Sequence, residues 1–126
     1  AASFAGYGNK EALEKGTVVV ATLLRQAQSE TLGSKDASVY GVHLEENKAV
    51  LIKGSLYSST ESSNRTYKLH SSIKINSTSL AGGGSDVLFR RLDGTTAQSG
   101  SVILVLRDDE SRQKTITIQA TGLIDY

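Results

Sequence analysis

Two histidines are the first candidates for chemistry in this chain of 126 residues. His43 falls on a predicted strand and His70 at the end of another, and we find no carboxylate at metal-ligand spacing beside either. The pair could meet in space as metal ligands, or one of them could activate one of the many serines. No Gly-x-Ser-x-Gly or His-Glu-x-x-His motif supports these roles, so we interpret both as ordinary strand residues.

The densest group of carboxylates is the run Asp108, Asp109 and Glu110. A calcium loop alternates its oxygen ligands around a glycine, whereas these acids are consecutive. Arg107 and Arg112 flank the run, so we interpret it as a solvated hairpin tip with surface ion pairs, each worth about 0 to 1 kcal/mol. A cation site is the alternative. We predict no metal and no cofactor for this chain.

Three further patterns have weak chemical meaning. The glycine run 82–84 is not followed by Gly-Lys-Ser/Thr, so a flexible turn between strands is favoured over a phosphate loop. Asn64 and Asn76 each begin a glycosylation acceptor pattern, but chance matches are expected in a sequence so rich in Ser, Thr and Asn. Aromatic residues make up 6% of the chain, with no Trp, which disfavours a glycosidase. Without convergent titratable groups, we predict that the protein is not an enzyme.

Composition excludes several classes of protein. The chain has no Cys, which removes thiol catalysis, zinc-thiolate sites and disulfides. It has 14 Lys+Arg against 13 Asp+Glu and no basic run, so there is no strong nucleic-acid signal. No apolar stretch approaches the roughly 18 residues that cross a bilayer. The chain contains no Met and opens on AASFAGYG, so we expect a product from which an upstream segment was removed.

The segment 9–32 is the one with a sustained helical period, and the rest of the chain is organised around it. Asn9 is predicted to cap its first turn, and Gly33 to end it in a left-handed conformation. One face of the wheel is apolar and is predicted to face the domain's own sheet. Its members are Leu13, Thr17, Val20, Leu24, Ala27 and Thr31, flanked by Leu23 and Gly16.

The same helix has an apolar residue on its opposite side. Val18 projects about 140° away from the stripe, and a helix continued backward would place Phe4 and Tyr7 on that far face. We therefore predict that Phe4, Tyr7 and Val18 form a contact face for a neighbouring molecule. The alternative is that Val18 is a singly exposed apolar residue, which is normal on a protein surface.

Residues 34–126 are predicted to be an antiparallel β region with Ser/Gly-rich loops. It opens with a hairpin whose first strand turns Tyr40, Val42 and Leu44 toward the helix. Further strands are predicted at 48–55, 66–70, 73–75, 86–90, 102–106 and 113–120, with Ile116 and Ile118 on one face of the last. The remainder of 56–63 and 71–85 is predicted to be exposed loop. Parallel pairing would need crossover helices that the pattern lacks, so we predict an α+β fold with the N-terminal amphipathic helix packed across an antiparallel sheet.

A set of short segments, taken together, is similar to a known family. They are Ala21-Thr22-Leu23-Leu24-Arg25-Gln26-Ala27-Gln28-Ser29 in the helix, Tyr40-Gly41-Val42-His43-Leu44, Val87-Leu88-Phe89 with Gly94, Ile103-Leu104, Ile116-Thr117-Ile118 and Gly122-Leu123-Ile124. Over nearly its whole length the chain resembles type IV pilin-like proteins of the GspH/FimT-like pseudopilin, or minor pilin, group.

The resemblance implies a single pilin-like domain, 1–126, in which 1–33 is the C-terminal half of the pilin helix and the N-terminal transmembrane half is absent from this chain. It implies a structural subunit of a type IV pilus, a type II secretion system or a related filament. Expected partners are other pilin or pseudopilin subunits, a prepilin peptidase, inner-membrane assembly machinery and the membrane itself.

The resemblance also implies where the protein resides. The subunit would be membrane-anchored before assembly and then lie in an extracellular or periplasmic filament on the cell surface. Its Ser/Thr/Gly loops between Leu56 and Ser85 would form the variable contact surface. The alternative function is an extracellular β-rich binding module for a glycan or protein partner.

Overall fold

The computed structural model of the chain describes residues 2–33 and 35–126, with the side chains of 9–33 and 36–126. In this part of the chain one long helix, α1, spans Ala2–Leu32, and a 3₁₀ turn, Lys35–Ala37, follows it. Eight strands come next: β1 Tyr40–Glu45, β2 Lys48–Lys53, β3 Arg65–Lys68, β4 Ile73–Leu80, β5 Asp86–Leu88, β6 Gly100–Leu106, β7 Asp109–Ile118 and β8 Ile124–Asp125.

The strands form two antiparallel sheets. The first has the order β3-β2-β1-β5 and the second β4-β6-β7-β8. The predicted α+β fold, with an N-terminal helix on antiparallel strands, is confirmed, but the strands divide into two sheets where one was predicted. The division arises because β4 pairs with β6 and not with a strand of the first sheet. The next strand, β5, pairs with the edge of β1 in the first sheet.

The core lies between α1 and both sheets. Residues of the helix, of the first sheet and of the second sheet belong to the same cluster of buried apolar side chains. The cluster includes the predicted inward residues Tyr40, Val42 and Leu44 of β1 and the predicted pair Ile116 and Ile118 of β7. Removing these apolar side chains from water is the main stabilising contribution to the fold. The single helix α1 packs against apolar side chains of both sheets.

The helix approaches the second sheet closely at Gly16. This glycine is buried, and a Cβ added to it would lie 2.5 Å from Cδ1 of Ile73, whose side chain is itself buried. Ordinary van der Waals contact between carbon atoms requires about 3.5 to 4.0 Å. The absence of a side chain at Gly16 therefore permits the close contact between α1 and the Ile73 side chain of β4.

The helix ends at Leu32, as predicted, but its start and the conformation predicted for Gly33 need correction. Because α1 begins at Ala2, Asn9 lies inside the helix and does not cap it. Gly33 donates its N–H to the carbonyl of Ser29 at 2.9 Å, as a helical residue does, and its φ is not left-handed. Among the described residues that follow, Asp36 and Ala37 are left-handed, each with φ of 53°. Across the described residues, no helix is both long enough and apolar enough to cross a membrane.

Two strands are longer than their sequence predicted. Residues 76–80 were predicted as loop but continue β4, because they pair with the apolar strand β6 from Ser77↔Ile103 to Leu80↔Gly100. The pairing with β6 decides the conformation here, because Asn is depleted in strands and Thr78 is the one β-branched residue of 76–80. Similarly, β7 starts at Asp109, so the hairpin tip predicted at 108–110 is shorter than expected and its turn lies at 107–108.

Candidate functional site

The inward face of α1 is occupied by the residues that its period indicated. Leu13, Val20, Leu24 and Ala27 are buried, and Leu23 is half-buried against the same core. Spacings of three and four residues place side chains one above another on a helix, and these positions follow that rule. This face of α1 therefore packs against the core of its own molecule.

Two threonines on this face satisfy their hydroxyl groups internally. The Thr17 hydroxyl donates to the carbonyl of Leu13 at 2.8 Å. The Thr31 hydroxyl donates to the carbonyl of Ala27 at 2.7 Å and accepts the backbone N–H of Tyr40 at 2.8 Å. Thr31 therefore joins the end of α1 to the start of β1.

Val18 lies on the outward side of α1, with 44% of its surface exposed. The other exposed side chains described between residues 10 and 30 of the helix are polar or charged: Lys10, Glu11, Glu14, Lys15, Thr22, Arg25, Gln26 and Ser29. In this stretch Val18 is thus an isolated apolar position on a polar face. The side chains of Phe4 and Tyr7 lie outside the described residues, so their place on the same face stays a prediction.

A shallow cavity of about 180 Å³ lies beside Val18. Its lining consists of Glu14, Thr17, Val18, Lys114 and Tyr126. Tyr126, at the far end of the chain, is held near the helix by Arg25, whose guanidinium lies 5.2 Å from the Tyr126 ring centre and donates to the carbonyl of Ile124 at 2.9 Å. Tyr126 therefore adds an aromatic ring to the otherwise polar surroundings of Val18.

His43 lies in a cluster that the sequence did not predict. Its Nδ1 is 2.5 Å from Oδ1 of Asp86, its Nε2 is 3.0 Å from Oε2 of Glu45, and its ring stacks on Tyr57 with a centroid distance of 3.8 Å. The sequence has no carboxylate at metal-ligand spacing beside His43, but the fold brings the Asp86 carboxylate to it. Asp86 reaches it because β1 and β5 pair His43 with Asp86, a contact between residues that are distant in sequence.

This cluster has the character of a structural clamp. Both ring nitrogens of His43 already contact carboxylate oxygens, so neither is left to a metal or a serine. Among the described residues, no group of three His, Asp or Glu side chains could hold a metal ion. The clamp connects β1, β5 and the loop that carries Tyr57.

His70 has separate partners. Its Nδ1 lies 2.7 Å from the Ser72 hydroxyl and accepts the backbone N–H of Ser72 at 3.1 Å. The structure therefore does not bring the two histidines together around one group. His70 belongs instead to the connection between β3 and β4.

Two carboxylates of the acidic run, those of Asp109 and Glu110, contact different partners. Asp109 accepts the Ser111 hydroxyl at 2.5 Å and the Ser111 backbone N–H at 3.2 Å. The hydroxyl, followed by the backbone N–H, holds the pKa of the Asp109 carboxyl below its usual value. Glu110 pairs with Lys74 at 3.0 Å on β4. These contacts agree with an exposed hairpin end and do not converge on one ion.

The glycine run lies in the turn between β4 and β5. Gly82 and Gly83 have φ of 89° and 82°, and the Gly83 N–H donates to the carbonyl of Leu80 at 2.9 Å. Positive φ is readily adopted by glycine, which explains its presence in this turn. A turn between strands was predicted here.

Comparison with known proteins rests on the architecture. No family model matches the chain, and no curated protein matches it. The structure is similar to the crystal structure of the type IV minor pilin FimU from Pseudomonas aeruginosa strain PAO1, with a TM-score of 0.62 and 14% sequence identity; the match covers 91% of this chain and 89% of that one. The chain has a type IV pilin fold.

The pilin fold gives a common frame for the features above. In it, α1 is the N-terminal helix, with one face against the two sheets and Val18 on the other side. At 14% sequence identity, the similarity to FimU establishes the fold alone. The contacts around Val18 and His43 are described for this chain only.

Proposed function

We propose that this protein is a minor pilin or pseudopilin, a structural subunit of a type IV pilus, a type II secretion system or a related filament. The observation that carries the proposal is the match of the pilin fold over 91% of the chain. The proposal requires no catalytic residue, cofactor or metal. Residues 1–126 act in it as one pilin-like domain, with 1–33 as the helical part.

The proposed contact face for other pilin or pseudopilin subunits consists of Phe4, Tyr7 and Val18. Support comes from Val18, which is exposed on the side of α1 that the protein's own sheets do not cover. Complete burial of a valine side chain contributes about 1.5 to 3 kcal/mol, so covering the exposed part of Val18 would contribute about 1 kcal/mol. Contacts of this size become important when each subunit of a filament repeats them.

The proposal places the protein in two successive locations. An apolar helical segment preceding Ala1 would anchor it in the membrane, where a prepilin peptidase and the inner-membrane assembly machinery would act on it. The assembled subunit would lie in an extracellular or periplasmic filament. The loops between Leu56 and Ser85 would then contact other partners, because α1 would be turned toward the neighbouring subunits.

The decisive experiment compares Val18→Asp with a matched substitution elsewhere. Leu92 is 98% exposed in a turn between strands, so Leu92→Asp makes the same kind of apolar-to-acidic change away from α1. Each variant of the full-length protein is produced in cells that assemble its filament, and sheared filaments are probed by immunoblot. We expect Val18→Asp to reduce incorporation at least tenfold and Leu92→Asp to leave it unchanged.

Thermal unfolding of both purified variants is the folding control, since substitutions at exposed positions usually change stability by less than about 0.5 kcal/mol. Equal incorporation of Val18→Asp and the unmodified protein would contradict the proposed contact face.

A further inference from the structure

Three turns meet at one end of the molecule and are fixed to one another by backbone hydrogen bonds. The Leu69 N–H donates to the carbonyl of Asn47, and the Arg107 N–H donates to the carbonyl of Ser72, both at 2.9 Å. The Ile75 N–H donates to the carbonyl of Glu46 at the same distance. The β1–β2 turn, the β3–β4 connection and the β6–β7 turn are therefore held in one arrangement, and α1 takes no part in it.

These turns enclose a surface cavity of about 390 Å³. It is lined by Asn47, Lys68, Leu69, His70, Ser71 and Arg107. Three of the lining side chains carry N–H groups on cationic or imidazole nitrogen, and none of the described lining residues is acidic. The cavity thus offers hydrogen-bond donors with a positive charge.

The hydrogen bonds of His70 determine which of its nitrogens donates. The Ser72 backbone N–H points at Nδ1, so Nδ1 must be an acceptor. A neutral ring then carries its hydrogen on Nε2. His70 therefore adds a donor to the cavity without needing a positive charge.

The charge of the cavity is also incompletely compensated. Arg107 uses Nη1 to contact Oε1 of Glu46 at 3.1 Å, which leaves its other N–H groups available. Lys68 has no ion pair among the described residues. Two cations and one carboxylate leave an excess of one positive charge beside the cavity.

We propose that this cavity binds a phosphate group through Lys68, His70 and Arg107. A guanidinium presents several N–H groups in a fixed plane that suits phosphate oxygens, and an ammonium supplies a compact charge beside it. The neutral Nε2–H of His70 can donate to a further oxygen of the same tetrahedral group. The site goes beyond the proposed filament role, because it uses no residue of α1, the helix that carries the proposed contact face.

The test is a titration of the isotope-labelled 126-residue chain, followed by backbone amide NMR shifts at constant pH and ionic strength. One arm uses inorganic phosphate, a second uses glycerol 3-phosphate, and sodium chloride is the reference. We expect saturable shifts at 68–72 and at 107 with at least one of the two phosphates. Tighter binding of glycerol 3-phosphate would identify an organic phosphate as the source of the ligand, and tighter binding of the inorganic ion would identify free phosphate.

Four variants separate the site from non-specific charge effects. Lys68→Gln and Arg107→Gln should each weaken binding about tenfold, whereas Lys114→Gln, which removes an exposed charge from β7, should leave it within twofold. Glu46→Gln should tighten binding at least twofold, because it removes the carboxylate that competes for Arg107. The proposal is overturned if neither phosphate gives saturable shifts, or if Lys114→Gln weakens binding as much as Lys68→Gln.

Discussion

Nδ1 of His43 lies 2.5 Å from Oδ1 of Asp86, across the paired strands β1 and β5. The second ring nitrogen of His43 contacts Glu45, and the ring face stacks on Tyr57. Strand β5 is only three residues long and lies at the edge of its sheet, so few backbone hydrogen bonds hold it. The clamp around His43 therefore secures both this short edge strand and the loop that carries Tyr57.

A double-mutant cycle should reveal the coupling between these two residues. We expect the losses of unfolding free energy caused by His43→Ala and Asp86→Ala to be less than additive. The coupling energy should be about 1 kcal/mol, because the hydrogen bond between the two side chains is half-buried and involves a carboxylate. Urea unfolding measures each free energy. Asp108→Ala serves as the control because Asp108 is exposed in the β6–β7 turn, and its coupling to His43→Ala should be near zero.

The His43→Ala substitution should also make the loop that carries Tyr57 more mobile. In the His43→Ala variant, amide hydrogen exchange at 54–64 should become faster than in the unmodified protein, while exchange in β6 should not change. Exchange that rises equally in both segments would indicate global destabilisation and contradict a local clamp.

Gly16 provides a prediction about the packing of α1 on β4. Alanine is favoured over glycine inside a helix by about 1 kcal/mol, but overpacking a filled core costs about 1 to 3 kcal/mol. Because the new Cβ would lie 2.5 Å from Ile73 Cδ1, we expect Gly16→Ala to lower the free energy of unfolding by about 1 kcal/mol. Ser29→Ala, at an exposed position of the same helix, should leave stability unchanged or raise it slightly.

Ile73→Val tests the cause of that loss. Removing Cδ1 from Ile73 costs about 0.5 to 1.5 kcal/mol in the normal protein. In the Gly16→Ala protein, Ile73→Val removes the Cδ1 atom that the new methyl group contacts. Ile73→Val should therefore leave the free energy of unfolding of that protein unchanged or raise it. Strict additivity of the two changes, measured by urea unfolding, would show that the helix and β4 are not in tight contact at this point.

The helix could be predicted well from the sequence because its burial pattern is local. Val20, Leu24 and Ala27 recur at helical spacing, so the sequence alone indicates which side turns to the core. Val18 could likewise be assigned to the outer side from its angle on the wheel. The start of α1 was less predictable than its end at Leu32, since Asn9 can cap a helix but does not prevent one from continuing through it.

Contacts between distant segments could not be predicted. His43 meets Asp86 because β1 pairs with β5, and Arg25 reaches Ile124 and Tyr126 because α1 packs next to the end of the chain. In both cases no period in the sequence reveals the contact. The division into two sheets depends on the same long-range pairing. The strand at 76–80 was missed because its conformation comes from β6 and not from its own Ser and Asn residues.

Asp93 gives a prediction about acid. The backbone N–H of Thr95, followed by its hydroxyl, donates to the Asp93 carboxylate and holds the pKa of this carboxyl below its ordinary value, with Arg90 adding a smaller effect. The contribution of Asp93 to stability is therefore complete above the ordinary aspartate value and is lost as the pH falls through the lowered folded pKa. A carbon NMR titration of the Asp93 carboxyl should show its midpoint below that of the unfolded chain.

Variants of its two neighbours separate the causes of the Asp93 shift. Thr95→Ala removes the hydroxyl and should raise the pKa of Asp93, although the backbone donor remains. Arg90→Gln should raise the pKa by less, because the charge of Arg90 contributes less than the hydroxyl. A larger effect of Arg90→Gln would mean that charge and not hydrogen bonding governs this turn.

Thr31 and Thr17 form a matched pair on the buried face of α1. Thr31 is fully buried and its hydroxyl accepts the Tyr40 N–H, whereas the Thr17 hydroxyl only donates to its own helix. Thr31→Val keeps the shape of the side chain but leaves the buried Tyr40 N–H without this acceptor, which should cost about 1 to 3 kcal/mol. Thr17→Val leaves no such donor behind and should therefore lower the free energy of unfolding by less than Thr31→Val does. Equal losses for the two variants in urea unfolding would mean that Thr31 does not hold the end of the helix to β1, and that the polar atoms of this face matter only for their packing.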